Sequence, residues 1–132
     1  MRITRPSAIL LCLTAGVLLA DPSRSGSAPV SQASEPRVID VIVKRYEFVP
    51  PVVEVTLGER VRILVKSGDG LHGFGIKRFN VSREIPRGET ITVDFTPDAT
   101  GDFPILCTEF CGDGHETMKG LLVVKARETA QP

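Results

Sequence analysis

Apolar and polar residues alternate along most of the chain after residue 36. The two clearest runs place apolar side chains at every second position: Val61, Ile63 and Val65 in the first, and Ile91, Val93 and Phe95 in the second. Because successive side chains of a strand point to opposite faces of a sheet, this alternation predicts half-buried strands. The same reasoning predicts further strands at 38–44, 52–55, 72–76, 80–85, 103–108 and 120–125.

Turn-forming residues separate the predicted strands. Glycine, proline or aspartate occurs at 50–51, 57–58, 68–70, 86–88 and 96–101, and such residues favour tight turns. No segment of this region has the periodicity of an amphipathic helix. About eight short strands at this spacing predict an all-β fold, an antiparallel sandwich or barrel with Greek-key connections.

The first twenty residues have the pattern of an export signal. Arg2 and Arg5 precede an apolar run from Ala8 to Ala20. This run is shorter than the ~20 residues that a membrane-spanning helix needs, and it is typical of a secretory signal peptide. We expect cleavage after Ala20, or as late as after Ala28. An uncleaved membrane anchor is the alternative, and no transmembrane span beyond this segment is predicted.

Amino-acid composition distinguishes a tether from the folded domain in the rest of the chain. Residues 21–36 are rich in serine, proline and alanine and lack apolar periodicity, which predicts a flexible tether. The predicted organisation is therefore a signal peptide at 1–20, a tether at 21–36, a folded domain at 37–127 and a tail at 128–132. The predicted location is the periplasm or another compartment reached by export.

The charge of the chain excludes one class of partner. The sequence has 16 lysines and arginines and 16 aspartates and glutamates, so its formal net charge is zero. It has no run of basic residues with interleaved aromatic side chains, the pattern typical of a nucleic-acid-binding surface. Nucleic acid is therefore not predicted as a partner.

The residues with soft or imidazole ligand atoms are concentrated in one segment, which reads CTEFCGDGHETM from Cys107 to Met118. Outside the predicted signal peptide, this segment holds every cysteine and methionine and one of the two histidines; the other is His72. Residues 109–118 break the strand pattern and are predicted to form a loop between the last two strands. Because Cys107 continues the inward-facing series of Phe103 and Ile105, its thiol is expected to point to the core.

Three kinds of site agree with these residue types. A Cys107–Cys111 disulfide would close a very short loop and would leave both histidines and Met118 unexplained. A Cys2His2 zinc site suits the ligand types but gives Met118 no role. Copper accounts for the full set, because methionine is a common weak axial ligand of copper beside cysteine and histidine. A buried His72 that bonds only to backbone is the alternative at that position.

The predicted sandwich, with an upstream histidine and a downstream Cys…His…Met loop, resembles the cupredoxins. The second cysteine makes the loop similar to the binuclear CuA loop of cytochrome c oxidase subunit II and of nitrous oxide reductase. The segment DGLHGFGI around His72, with Asp69 three residues before the histidine, resembles the segment that carries the first histidine of that family. The resemblance extends over about residues 38–125.

The resemblance implies a site with two copper ions. The implied metal ligands are His72, Cys107, Glu109, Cys111, His115 and Met118. The two thiolates would bridge the copper ions, and each imidazole would supply one nitrogen to one copper. Met118 would be the weak axial ligand of one copper, and the backbone carbonyl of Glu109 that of the other. Neither a catalytic residue nor an organic cofactor is implied. Phe74, Phe103 and Phe110 are expected to exclude water around the site, with a role as ordinary core residues as the alternative for each.

The implied function is one-electron transfer by an exported copper protein. Its expected partners are an electron donor and an electron acceptor, a c-type cytochrome and a terminal oxidase or reductase. Subunit II usually has two preceding membrane helices and an aromatic patch with tryptophan, whereas neither is predicted here and the chain has no tryptophan. The expectation is therefore limited to electron transfer, without oxygen reduction. The alternatives are a copper-handling protein for assembly of an oxidase CuA site and a structural domain stabilised by zinc.

Overall fold

Nine strands make up the fold in the computed structural model, which describes residues 34–128. They are β1 Arg37–Lys44, β2 Glu47–Val49, β3 Val52–Thr56, β4 Val61–Ser67, β5 His72–Ile76, β6 Val81–Ile85, β7 Thr90–Phe95, β8 Gly101–Leu106 and β9 Lys119–Lys125. Two short 3-10 turns, Lys77–Phe79 and His115–Thr117, complete the described elements. The predicted signal peptide, residues 21–33 of the predicted tether and residues 129–132 of the predicted tail lie outside the described residues.

The strands form two sheets, ordered β2-β1-β4-β7 and β3-β9-β8-β5-β6. The inward-facing side chains of the two sheets make one hydrophobic core. In β4, Val61, Ile63 and Val65 are each at most 1% exposed, which confirms the predicted facing of this strand. Burial of a valine or isoleucine side chain contributes about 1.5–3 kcal/mol to stability. The all-β sandwich predicted from the alternation is confirmed. Between residues 34 and 128 no helix is long and apolar enough to span a membrane.

Two strand pairings differ from the antiparallel arrangement predicted from the sequence. β1 runs parallel to β4, with Arg37 opposite Val61, and β3 runs parallel to β9, with Val52 opposite Leu121. The expectation of a purely antiparallel sandwich was therefore wrong. Side chains alternate between faces in both kinds of sheet, so the apolar pattern of one strand does not show which way its neighbour runs.

The ninth strand, β2, was not predicted. It has only three residues, and it pairs with the end of β1 through Val43 opposite Phe48. Phe48 is 1% exposed, and its ring meets Phe74 edge to face with centroids 5.9 Å apart. This strand is too short to display an alternation, and it therefore escaped prediction.

The fold brings the two ends of the candidate site together. β5 begins at His72 and pairs with β8 through Gly75 opposite Leu106. β8 ends at Leu106, so the segment from Cys107 to Met118 leaves the sheet beside the start of β5. The structure places no strand between Glu109 and Met118, which confirms the predicted loop, and the strand predicted at 103–108 ends two residues earlier than expected.

Candidate metal centre

Two free thiols form the centre of the site. Cys107 is 7% exposed and Cys111 is 5% exposed, and their Sγ atoms lie 3.6 Å apart. Cys107 lies directly after β8 and is buried like Ile105 two positions earlier, as the alternation predicted. The backbone N–H of Gly73 donates to Sγ of Cys107 across 3.4 Å. This contact requires glycine, because a side chain at Gly73 would collide with Thr108 and with the backbone of the loop.

His72 lies against the two thiols. It is completely buried, and its ligand atom lies within 4.8 Å of the sulfur atoms of Cys107 and Cys111. Its Nε2 atom is 2.7 Å from Oδ1 of Asp69, whereas its Nδ1 atom is buried without any hydrogen-bond partner. A buried polar atom without a partner costs about 1–3 kcal/mol. His72 is therefore not a histidine held by backbone alone, and its Nδ1 lone pair remains free for a metal.

Asp69 is held as a carboxylate by its neighbours. Partial burial alone would raise the pKa of Asp69, but hydrogen bonds from the backbone N–H of Arg45 and from His72 outweigh that effect and hold its pKa below the ordinary value. The N–H of Arg45 lies 2.9 Å from Oδ2. Because a carboxylate only accepts, the hydrogen of the His72 ring must lie on Nε2.

The remaining predicted ligands lie around Cys111 and Cys107. Nδ1 of His115 is 3.8 Å from Sγ of Cys111, and Sδ of Met118 is 3.7 Å from the same atom. The backbone oxygen of Glu109 is 3.2 Å from Sγ of Cys107. The structure therefore brings together all six residues that the sequence analysis singled out.

The loop is shaped so that its ligands face inward. The N–H of His115 donates to the carbonyl of Gly112, and the N–H of Met118 donates to the carbonyl of His115. These bonds form the 3-10 turn between the second cysteine and β9. Met118 is 1% exposed, and His115 is half-buried. The φ angle of Gly112 is +131°, which disfavours other residues at this position.

The protonation of the second thiol depends on its surroundings. Burial, followed by the hydrogen bond and the charge of Cys107, raises the pKa of Cys111 to about 11, while the positive charge of Arg45 acts in the opposite direction. A thiol in such a place stays protonated at neutral pH unless a cation displaces its proton. Metal binding at this site therefore includes loss of a proton from Cys111.

Two residues of the site had no signal in the sequence. Arg45 lies in the turn between β1 and β2, and its Nε donates to the backbone carbonyl of Cys111 across 3.0 Å. The ring of Tyr46 lies where side chains at Gly112 and Gly114 would be. Both residues are far in sequence from the loop that they contact, so neither periodicity nor spacing pointed to them.

The predicted aromatic shield is only partly present. Phe74 is completely buried on the same strand face as His72. Phe103 is half-buried and packs on Phe79, with ring centroids 5.0 Å apart. Phe110 is 74% exposed and 5.8 Å from the His115 ring, so the expectation that it excludes water was wrong. It lies in the loop, where no strand directs it to the core.

The donor set suits a soft transition metal. Thiolate and thioether sulfur select copper over calcium or magnesium, and imidazole suits copper and zinc alike. The unpartnered Nδ1 of His72 is explained if a metal ion takes the place of a hydrogen-bond donor. The described residues therefore fit a copper site.

Comparisons with known proteins agree with this description. The model of the cupredoxin-like domain family matches residues 9–124. Cytochrome c oxidase subunit 2 of Thermus thermophilus is 32% identical over 106 residues, which covers 80% of this chain and 76% of that protein.

Two solved structures have the same fold. One is the periplasmic domain of subunit II of cytochrome oxidase from Bradyrhizobium japonicum, with a TM-score of 0.61, 19% identity and coverage of 67% of this chain and 83% of that chain. The other is the mixed disulfide intermediate between the thioredoxin-like TlpA and subunit II, with a TM-score of 0.57, 19% identity and coverage of 67% and 81%. Because the family model matches residues 9–124 and the Thermus protein is 32% identical over 106 residues, this chain belongs to the cupredoxin-like domain family and is a homologue of cytochrome c oxidase subunit 2.

Proposed function

We propose that this protein is an exported copper protein whose binuclear CuA-type centre transfers single electrons. The observation that carries the proposal is the pair of buried free thiols, 3.6 Å apart, beside an imidazole nitrogen that has no partner. Two sulfur atoms at this separation suit shared ligation of two metal ions. A disulfide needs no imidazole, and a single zinc ion leaves Met118 without a role.

Each residue of the site has a defined part in the proposal. Cys107 and Cys111 supply bridging thiolates, and His72 and His115 supply one nitrogen each. Weak axial ligands come from the sulfur of Met118 and the backbone carbonyl of Glu109. The bound copper pair would supply a one-electron couple. The chain itself holds the ligands, excludes water and keeps their spacing constant.

The burial of the site supports electron transfer. Residues that change position little when an electron arrives keep the reorganisation energy small, and a close-packed core resists such movement. Cys107, Cys111 and Met118 are all buried, and His72 is locked by Asp69. The half-buried His115 is the ligand side chain nearest to solvent, so it is our candidate for exchange of electrons with a partner.

We infer that the partners are a c-type cytochrome as donor and a terminal oxidase or reductase as acceptor. The relationship to subunit 2 of cytochrome c oxidase supports this inference. The surface beside the loop supports it as well, because Phe110 is 74% exposed and Leu71 is 43% exposed. Exposed apolar side chains permit close approach of a second protein.

We also infer that residues 1–20 direct export and that residues 21–36 form a tether, with the copper domain at 37–127. The basic start and the apolar run support this organisation. The similar Bradyrhizobium structure is described as a periplasmic domain, which agrees with an exported location. Mass spectrometry of the exported chain tests the inference, and an intact Met1 end in the membrane fraction would favour an anchor.

A second candidate function is delivery of copper to an oxidase. The free thiols favour it, because Cu(I) binds paired thiolates strongly. The two functions differ in whether the protein retains its copper. A carrier keeps its copper against a chelator and cycles between two redox states, whereas a delivery protein releases copper to an acceptor domain. The deciding experiment is to load the domain with copper, remove free metal and follow metal content through several oxidation and reduction cycles.

A further inference from the structure

One arginine contacts both segments that bring ligands to the site. Arg45 lies 66 positions before Cys111, yet its Nε donates to the Cys111 carbonyl across 3.0 Å. Its backbone N–H donates to Oδ2 of Asp69 across 2.9 Å. Its guanidinium also lies over Gly70, where a side chain would come within 3.2 Å of Nη2.

These contacts connect two ligands through one residue. The backbone of Arg45 holds Asp69, and Asp69 holds the ring of His72 through Nε2. The side chain of Arg45 holds the peptide group of Cys111. The spacing between the His72 ring and the second cysteine is therefore tied to one turn, the turn between β1 and β2, which lies in the other sheet.

The next residue contributes to the same contact. The ring of Tyr46 lies against Gly112 and Gly114, where any side chain would collide with it. The two consecutive residues Arg45 and Tyr46 thus contact the loop on both sides of Asp113. The β1–β2 turn therefore gives the loop contacts from the other sheet, in addition to the loop's own 3-10 turn.

We propose that Arg45 is a positioning residue that sets the distance between His72 and Cys111 before any copper binds. The benefit of this positioning for copper binding rests on the proposed function, whereas the contacts of Arg45 do not. A charged donor makes a stronger hydrogen bond to a carbonyl than a neutral donor does. The positive charge also favours the more reduced, less positive state of a bound metal pair, so its removal is expected to lower the reduction potential.

Three variants separate the hydrogen bond from the charge. Arg45→Met keeps an unbranched side chain that reaches the position of Nε, but removes both donor and charge. Arg45→Gln places an amide N–H the same number of bonds from Cα as Nε, so it keeps a donor and removes the charge. Arg83→Met is the control, because Arg83 is also exposed and donates to a backbone carbonyl, that of Thr92 at 3.5 Å. All three changes leave the buried core intact.

The first measurement is hydrogen exchange in the reduced, metal-free domain. The amides of His115, Thr117 and Met118 report opening of the loop, since each donates to the backbone carbonyl three residues before it. We expect Arg45→Met to raise their exchange rates roughly tenfold, Arg45→Gln to restore most of the protection, and Arg83→Met to leave it unchanged. Amides of β4 serve as the reference for the fold in every variant.

The second measurement is the reduction potential of the copper-loaded domain. We expect the potential to be lower in both Arg45→Met and Arg45→Gln and unchanged in Arg83→Met. If Arg45 acted only by holding the loop, the reduction potential would fall in Arg45→Met, where the loop is loosened, but not in Arg45→Gln. A lower potential in Arg45→Gln therefore reports the lost charge. If Arg45→Met fails to fold, Arg45→Lys takes its place, because lysine keeps the charge but displaces the donor. We then expect the exchange rates of the loop amides to rise roughly threefold.

Exchange rates in Arg45→Met within twofold of the original protein would overturn the proposal, as would equal acceleration in Arg45→Gln. The exchange measurement uses no metal. A domain that fails to bind two copper ions would therefore refute the proposed function while the test of Arg45 still stands.

Discussion

Nε2 of His72 lies 2.7 Å from Oδ1 of Asp69, and this contact decides which nitrogen of the imidazole is available to a metal. The carboxylate accepts a hydrogen bond from the N–H at Nε2, so the buried Nδ1 keeps a lone pair that no hydrogen bond uses. An acidic residue three positions before a histidine is thus part of the site, although it contacts no sulfur atom. Carboxylates in this position orient a ligand and increase its basicity.

Loss of Asp69 should weaken copper binding without unfolding the domain. In Asp69→Ala the His72 ring loses its orienting partner, and we expect copper affinity to fall roughly 10- to 100-fold. Asp69→Asn should retain part of the effect, because its amide oxygen still accepts a hydrogen bond. Competition with a Cu(I) chelator measures the change. Asp94→Ala is the control, since Asp94 pairs with Arg62 on the exposed face of the other sheet; equal losses in both variants would contradict a specific role for Asp69.

The copper-loaded domain should contain two copper ions per chain and should be purple, with the electron shared between the metals. Paired thiols with two imidazoles and one thioether motivate this prediction. Metal analysis and electron paramagnetic resonance check it. One copper per chain with a blue, single-thiolate spectrum would refute the binuclear site, and a colourless protein with one zinc would favour the structural alternative.

Replacement of the individual sulfur ligands should separate bridging from axial roles. Cys107→Ser and Cys111→Ser should each abolish the binuclear centre, because residues 34–128 contain no third thiol. Met118→Leu should retain both copper ions and shift the reduction potential, because an axial ligand tunes the metal more than it holds it. Metal content and voltammetry give the answer. A Met118→Leu protein without copper, beside a binuclear Cys111→Ser protein, would show that the roles are misassigned.

A side chain at Gly73 should disturb the site through packing. Gly73→Ala would push against Thr108 and the loop backbone and would weaken the N–H contact to Sγ of Cys107. We expect a loss of about 1–3 kcal/mol in the free energy of unfolding, measured with denaturant, and weaker copper binding. Gly68→Ala is the matched control, because a methyl group there meets only the carbonyl of Val43 at 3.6 Å. A neutral Gly73→Ala would contradict the close approach of β5 and the loop.

Copper should protect the two thiols from oxidation. Their Sγ atoms are 3.6 Å apart, so a small rotation brings them to bonding distance. We expect metal-free protein in air to lose both free thiols and its copper binding, thiol reductant to restore both, and copper-loaded protein to resist the loss. Thiol counts and copper rebinding after exposure to air measure this. Assembly of the site after export would then need a thiol reductant or a copper donor. Thiols that stay free in air would remove the need for one.

The alternation of apolar residues was sufficient to predict the strands and the inward face of β4, because both depend on neighbouring positions in the chain. The concentration of Cys107, Cys111, His115 and Met118 in twelve residues identified one loop as the candidate site, and the structure brings these four side chains together. The count of ligand residues also included His72, and resemblance to a family added the carbonyl of Glu109. All of these predictions use residues that are close in sequence or share a known motif.

Only the tertiary structure decided which strands are neighbours and which groups support the ligands. The parallel pairing of β1 with β4, and of β3 with β9, leaves no trace in the period of any single strand. The contact of Arg45 with Cys111 joins residues 66 positions apart through a hydrogen bond to a backbone carbonyl, which every residue has. Sequence patterns report local periodicity and side-chain chemistry. Contacts between distant segments follow from how the two sheets pack, so they became visible only in the folded chain.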